Sequence, residues 1–239
     1  MLSIAYSELI QIFRNRAVLV TSFVMPIAVS AYFVYQHETF ADLASLGYIA
    51  AIIVFTVGAF GLYTTTVTTL ASRRQNLFLK RLRSTAAGDG SILAGLVVPA
   101  AVIAVVQIVG ILAVFSSIAE TPANVGLLAA GVVGTLAMML GLGLATAGFT
   151  NSPEHAQVTT LPVSLGTIAV ASWVGITGTE ELTLLKRLLP GGSATELMTD
   201  AWNGGAAVGD SLMLLAPTAA WVVVAVALAA QYFRWEPRR

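Results

Sequence analysis

The sequence concentrates positive charge in one short segment of an otherwise apolar chain. Five of its twelve lysine and arginine residues lie between positions 71 and 90. Cations grouped in this way bind carboxylates of a partner protein or attract anionic lipid at the membrane surface. The segment therefore indicates a binding or anchoring role. Its basic residues are Arg73, Arg74, Lys80, Arg81 and Arg83.

A helical projection of this segment, at about 100° per residue, separates apolar from basic side chains. A loop that only anchors the chain needs no such pattern. An amphipathic helix, in contrast, can lie flat on a membrane or dock its apolar stripe into a groove of a partner protein. Anchoring and docking both stay open at this point. The apolar face holds Phe78, Leu79, Leu82 and Ala86, and the polar face holds Arg73, Arg74, Lys80, Arg81 and Ser84.

Residue types exclude several kinds of catalytic and metal site. Neither lysine follows a glycine, so the chain has no Walker A phosphate loop, and it contains no HExxH or GxSxG. It has no cysteine, and its two histidines, His37 and His155, lie on opposite sides of the predicted membrane. We therefore expect no catalytic residue, no metal site and no cofactor in this chain.

The elements that position the basic segment are predicted membrane spans. Hydrophobic residues make up 57% of the sequence and charged residues 10%, whereas an ordinary soluble domain is about 25% charged. A hydrocarbon core of about 30 Å needs roughly 20 apolar residues per helix. We predict an all-α integral membrane protein, one domain over 1–239, with six spans. They cover about 17–35, 47–71, 92–118, 125–150, 157–177 and 211–233, and none contains a charged residue or a histidine.

The distribution of charge predicts the orientation. With the N-terminus inside, ten of the twelve basic residues lie on the inner side and eight of the twelve acidic residues on the outer side. This agrees with the positive-inside rule, and only Lys186 and Arg187 depart from it. We therefore expect a multi-pass plasma-membrane protein with both termini in the cytoplasm.

The segment 1–16 is predicted to be an interfacial amphipathic helix that leads into the first span. Its apolar stripe is typical of a helix that lies at the membrane surface. Polar residues, among them Glu8 and Arg14, occupy the other side. The stripe consists of Leu2, Tyr6, Leu9, Ile10 and Phe13.

Polar residues inside the spans are mostly hydroxyls. The absence of intramembrane carboxylates disfavours an ion-coupled transporter. Threonines in membrane helices commonly bond to their own helix or to a neighbour, and the alternative is a weakly polar path for an amphiphilic or apolar substrate. The candidate path residues are Thr65, Thr68, Thr69, Thr160, Ser164 and Thr167.

Small residues recur along the fourth span at helical spacing. Glycines repeat every seven residues, and small residues also repeat every four. Such a stripe lets two helix backbones approach closely, although it does not say whether the neighbour belongs to this chain or to another copy. The stripe consists of Gly134, Ala137, Gly141, Ala145 and Gly148.

The segment TEELTLLKRLLPGGSATELMTDAWNGG after the fifth span predicts two short helices. Pro190 stops the first, and a capping box of Ser193 and Glu196 opens the second, which ends near Asn203. A hairpin that dips into the outer leaflet and a solvated loop both remain open. On the inner side, NSPEHA has the N-cap and Pro153 of an ordinary helix start.

The order of these segments resembles the ABC-2 type permeases of ATP-binding cassette transporters, particularly the short drug exporters such as those for daunorubicin. The resemblance covers the whole chain. Besides the interfacial helix and the six spans, it is carried by RRQNLFLKRLRSTAAG, NSPEHAQ and LLKRLLPGGSATELMTDAW. One departure is that family members often have an acidic residue just before the basic run, where this chain has RRQN.

The resemblance implies that the basic segment is a coupling helix in a cleft of an ATPase subunit. Phe78, Leu79 and Leu82 would then form the docking face, and the basic residues from Arg73 to Arg83 would meet acidic groups of the ATPase or lipid. A second cytoplasmic contact would involve Pro153, Glu154 and His155. ATP and Mg would be bound by two copies of a separate nucleotide-binding subunit, and a second permease subunit, identical or paralogous, would complete the path.

The leading hypothesis from the sequence is the permease of an ATP-driven exporter for an apolar or amphiphilic substrate, with lipid and protein partners and no nucleic acid. The alternatives are a self-contained channel or secondary transporter, and a membrane scaffold without transport activity. In the channel or secondary transporter the basic segment serves only as an anchor, and the scaffold would gather partners.

Overall fold

The computed structural model describes residues 2–85, 87–233 and 235–236. Ala86, predicted on the apolar face of the basic segment, lies outside these residues. The protein is all-helical, and the described residues include no β-strand. The α-helices are α1 Leu2–Arg14, α2 Arg16–Leu19, α3 Met25–Tyr35, α4 His37–Leu43, α5 Leu46–Thr56, α6 Thr65–Gln75, α7 Phe78–Arg83, α8 Asp89–Ile118, α9 Val125–Ala147, α10 Pro153–Thr159, α11 Leu161–Thr177, α12 Thr183–Leu188, α13 Gly192–Asn203, α14 Val208–Met213 and α15 Leu215–Tyr232. The segments Val20–Val24 and Val57–Thr64 are π-helical.

Among the described residues, five continuous helical stretches are long and apolar enough to cross a membrane, which makes the chain a multi-pass membrane protein. A further apolar helix, Val20–Tyr35, is shorter than these five. Helices therefore occupy all six ranges that hydropathy predicts. The five stretches are Leu46–Gln75, Asp89–Ile118, Val125–Ala147, Pro153–Thr177 and Val208–Tyr232.

The stretch Leu46–Gln75, here called the central helix, forms the core of the bundle. It consists of α5, the second π-helical segment and α6. In its most apolar part 89% of the residues are buried, whereas in the other four stretches the share is 50% or less. The central helix contacts α3, α8, α9, α11 and α13. The surrounding helices thus keep their outer faces for lipid or for a partner.

The small-residue stripe of α9 packs against α15 of the same chain. A Cβ atom built on Gly134 would lie 3.3 Å from Thr218, and one on Gly141 would lie 3.0 Å from Ala225. At the end of the stripe a Cβ on Gly148 would lie 2.6 Å from the carbonyl oxygen of Tyr232. The contacting residues advance together in steps of seven, so the two helices are parallel and pack along a regular seam.

We expect Gly141→Ala to destabilise the protein by about 1–2 kcal/mol, because the added methyl group would overpack the seam between α9 and α15. Thermal unfolding in detergent measures the effect. Gly110→Ala in α8 is the matched control, since a Cβ there meets nothing within 4 Å. Equal melting temperatures of Gly141→Ala and the control would contradict close packing at this seam.

The predicted pair of short helices is present as α12 and α13. Helix α13 is buried against α5, α9 and α11, whereas α12 keeps Leu184 78% and Leu188 63% exposed. The predicted capping box is wrong, because α13 begins at Gly192 after Gly191 with a φ of 99°. Ser193 lies 3.1 Å from the hydroxyl of Thr218 instead, and Glu196 accepts hydrogen bonds from Arg187.

Lys186 and Arg187, the two residues that depart from the positive-inside rule, both have hydrogen-bond partners within this region. The Lys186 ammonium is buried and donates hydrogen bonds to the hydroxyl of Thr177 and the carbonyl of Gly178, at the C-terminus of α11. A cation is stabilised there by the negative end of the helix dipole. Arg187 forms a bidentate ion pair with Glu196, and this hydrogen bonding raises the pKa of the guanidinium.

Candidate functional site at the basic end of the bundle

One end of the helix bundle, here called the basic end, combines α1, α7, the end of the central helix and the start of α10. Helix α1 presents its predicted apolar stripe outward, with Leu2 82%, Tyr6 67% and Phe13 49% exposed. A row of exposed apolar side chains on a helix of this kind is suited to the acyl boundary of a membrane. The opposite side of α1 faces the protein.

Glu8 and Arg73 form a buried ion pair at this end. The Arg73 guanidinium donates hydrogen bonds of 2.8, 3.0 and 3.1 Å to the Glu8 carboxylate and another to the side-chain oxygen of Gln11. The side chains of Arg73 and Glu8 are only 12% and 5% exposed. Burial raises the pKa of Glu8, and Arg73 partly opposes this shift. The pair fixes α1 to the central helix.

Arg74 is turned into the protein and caps α9. Its side chain is 3% exposed and donates hydrogen bonds to the carbonyl oxygens of Ala147, at 2.7 Å, and Thr150. These carbonyls lie in and just after the last turn of α9, where a helix has unpaired acceptors and favours a cation. Arg73 and Arg74, both predicted as ATPase contacts, thus have structural partners inside the chain.

Helix α7 follows the central helix after a sharp turn. Leu77 adopts a left-handed conformation with φ of 60°, and the Asn76 side chain accepts a hydrogen bond from the backbone amide of Phe78. The helix ends at Arg83, so Ser84, which was predicted on its polar face, lies just beyond it. Its direction is therefore set at the junction with the central helix.

The apolar face of α7 packs on the protein itself. Leu79 is fully buried in a cluster that joins the central helix, α8 and α9. Phe78 and Leu82 are partly buried against the same cluster. The face that the sequence assigns to a partner is in contact with the bundle in this structure. The fully buried or nearly buried members of the cluster are Leu70, Leu79, Ile92, Leu96, Val97 and Ala147.

The outward face of α7 is basic. Lys80 and Arg81 are exposed, and a shallow depression of about 420 Å³ lies beside them, lined also by Asn76, Leu77 and Ser84. Lys80 forms an exposed ion pair of 3.1 Å with Glu236. Exposed pairs of this kind contribute little to stability, so Lys80 is free to exchange its partner.

Arg83 lies nearer the C-terminal segment. It pairs with Asp89 at 3.3 Å, and its guanidinium lies over the ring of Trp235 at 5.1 Å. Trp235 also packs on the apolar cluster beneath α7. The C-terminal segment thus holds the end of α7 against the bundle.

The predicted helix start at NSPEHA is confirmed. The Ser152 hydroxyl accepts a hydrogen bond of 3.2 Å from the amide of His155, and Pro153 is the first residue of α10. The side chains of Glu154 and His155 are exposed. Two of the three residues of the predicted second contact are therefore accessible at the basic end.

The candidate path residues fall into two groups. Thr65, Thr160, Ser164 and Thr167 are buried, and the hydroxyls of Thr160 and Thr167 donate to carbonyls of their own helical stretch. Ser164 faces Thr64 across a 3.4 Å contact. Thr68 and Thr69 are partly exposed and line a pocket instead. These hydroxyls do not form one continuous row.

The pocket that contains Thr68 and Thr69 has a volume of about 580 Å³ and is here called the arginine pocket. The sequence patterns did not predict this pocket, because its residues come from three separate stretches of the chain, 8–18, 68–73 and 153. The signal in the sequence was Glu8, an acidic residue on the protein-facing side of an amphipathic helix. The pocket is lined by Glu8, Gln11, Ile12, Arg14, Asn15, Arg16, Val18, Thr68, Thr69, Ser72, Arg73 and Pro153.

No family model matches this chain, and no curated protein matches it. Among the described residues no group of three or more His, Cys, Asp or Glu side chains could hold a metal ion.

Proposed function

We propose that this chain is the membrane permease subunit of an ATP-driven exporter, of the ABC-2 type that its sequence resembles. It would cross the plasma membrane six times, with Val20–Tyr35 inside the first predicted span and both termini in the cytoplasm. The basic end would then be the cytoplasmic end, in agreement with the positive-inside rule. The hairpin of α12 and α13 would lie in the outer leaflet.

The observation that carries the proposal is the attachment of α7 to the core of the bundle. Helix α7 is joined by a two-residue turn to the most buried helix of the protein, and Leu79 holds it against the central helix, α8 and α9. A force on its exposed side would reach three membrane helices through packed side chains. An anchor for a loop requires no such connection.

This arrangement changes which face of α7 is proposed to meet the ATPase. Leu79 serves as the internal attachment, so Lys80, Arg81 and the exposed Leu77 form the surface offered to a partner. Carboxylates on the ATPase would pair with the two cations, in place of the contact with Glu236. Glu154 and His155 would supply the second contact.

The substrate is proposed to be apolar or amphiphilic, such as a drug or a lipid. The six predicted spans contain no Asp, Glu, Lys, Arg or His, so a charged polymer would find no ionic partner among them. ATP and Mg would be bound by two copies of the nucleotide-binding subunit. Closure of those subunits around ATP would move α7 and the central helix, and two permease subunits would alternate between inward-open and outward-open states.

A charge reversal on α7 tests this proposal. We expect Lys80→Glu with Arg81→Glu to lower the ATPase activity that co-purifies with the protein by at least about tenfold, because each change would place a carboxylate against acidic groups of the partner. Native mass spectrometry of complexes extracted mildly from the native membrane would show the loss of the ATPase chains. Membrane insertion should stay normal, since both side chains are exposed.

Glu180→Lys with Glu181→Lys is the matched control. It also reverses two exposed charges, but at the opposite end of the bundle, and it should leave the complex intact. The proposal of an exporter would be contradicted if the wild-type complex, under several mild extractions, had the mass of this chain alone or of a simple homo-oligomer. That mass would favour a channel or a secondary transporter.

A further inference from the structure

The arginine pocket has the residues of a phosphate site. Three arginines and one glutamate line it, which leaves a net charge of two positive units. The glutamate, Glu8, is already paired with Arg73. Arg14 and Arg16 are exposed and take part in none of the ion pairs formed among the described residues. Their charges are available to a ligand.

Neutral donors complete the lining. Thr68, Thr69 and Ser72 lie on the last turns of the central helix, are partly exposed and make no side-chain hydrogen bond to another described residue. The three hydroxyls can donate to phosphate oxygens. Guanidinium groups together with hydroxyls are the donors that bind phosphate oxygens in proteins.

The position of the pocket beside α1 indicates where a bound phosphate group would come from. Helix α1 lines the pocket with Glu8, Gln11 and Ile12, and it presents Leu2 and Tyr6 in the other direction. An interfacial helix buries its apolar face by about 5–10 Å at the boundary of headgroups and acyl chains. The pocket on its other side then lies at the depth of the lipid headgroups.

We propose that the arginine pocket binds the phosphate headgroup of an anionic phospholipid in the leaflet at the basic end. Arg14 and Arg16 pair with the phosphate, and the hydroxyls of Thr68 and Thr69 donate hydrogen bonds to it. The lipid would link α1 to the central helix. This inference does not depend on a partner ATPase.

The test is a titration of the detergent-solubilised wild-type chain with phosphatidylglycerol, with bound lipids counted by native mass spectrometry. We expect Arg14→Gln with Arg16→Gln to weaken binding of the first lipid by roughly 25-fold, since each basic residue contributes about fivefold. Thr68→Val with Thr69→Val keeps the charge and should weaken binding by about fivefold through loss of two hydrogen bonds. Circular dichroism would verify that both variants keep their helix content.

The matched control is Lys80→Gln with Arg81→Gln, which removes the same charge from the outward face of α7. It should leave binding of the first lipid unchanged. If the control and the arginine variant weakened lipid binding equally and the threonine changes had no effect, surface charge alone would attract the lipid. That result would overturn the assignment of the pocket as the lipid site. Binding of inorganic phosphate alone that is as tight as binding of phosphatidylglycerol, and that the arginine variant weakens equally, would show that the ligand is a soluble anion and overturn the lipid assignment.

Discussion

Gly192→Ala is expected to lower the free energy of unfolding by about 4 kcal/mol or more, the range of severe single substitutions. A Cβ atom at this position would lie 1.7 Å from the carbonyl oxygen of Lys186. That neighbour is backbone, so no side chain can rotate away. The turn between α12 and α13 would have to open, and the buried contacts of α13 with α5 and α9 would weaken.

Thermal unfolding in detergent, together with the yield of monodisperse protein, measures this effect. Gly166→Ala in α11 is the control, because a Cβ there meets nothing within 4 Å. It should change stability by no more than about 1 kcal/mol, the difference in helix propensity between the two residues. A Gly192→Ala protein as stable as this control would show that the turn is not packed as described.

Arg73→Met is expected to destabilise the protein by about 3–5 kcal/mol near neutral pH, because it would leave the buried Glu8 carboxylate without its cation. The loss should depend on pH. Burial already raises the pKa of Glu8 above its ordinary value of 4.5, and Arg73 supplies the two interactions that lower it. Without Arg73 the pKa of Glu8 in the folded protein should rise further.

The sign of the pH dependence follows from this shift. A carboxyl group whose pKa is higher in the folded than in the unfolded state contributes most to stability below the unfolded pKa, and the contribution is lost as pH rises through the folded pKa. The loss of stability caused by Arg73→Met should therefore become smaller as pH falls from 8 toward 4.5, the ordinary pKa of Glu8. Melting temperatures across this range provide the measurement.

The double variant Glu8→Gln with Arg73→Met separates charge from packing. The double variant removes the titrating carboxyl group of Glu8. Its stability relative to the wild type should therefore lose the steep pH dependence that Arg73→Met shows. If Arg73→Met lowered stability by the same amount at both ends of the pH range, Glu8 would not be the buried charge that the substitution leaves without a partner.

Much of the fold could be predicted because it depends on local patterns. Long apolar runs predicted helices at all six places where the structure has them, and the N-cap before Pro153 was predicted from its residue types. The capping box at Ser193 failed because both of its residues found partners elsewhere, Thr218 for Ser193 and Arg187 for Glu196. Local propensity is overridden where a tertiary contact offers a stronger partner.

The candidate site was less predictable for a reason specific to membrane proteins. Lipid and protein core are both apolar, so an apolar stripe does not reveal which of the two covers it. The stripe of α1 is exposed, whereas the stripe of α7 is buried on the bundle through Leu79. The two patterns look alike in the sequence.

The sequence alone determined the positions of the six apolar helical ranges, the asymmetry of charge between the two ends and the small-residue stripe of the fourth span. Only the tertiary structure decided that the stripe meets α15, that Arg73 pairs with Glu8 and that Arg74 caps α9. The partners are about 65 or more residues apart in the chain. Helix periodicity specifies the faces of one helix, but the neighbour of each face is set by how all the helices pack together.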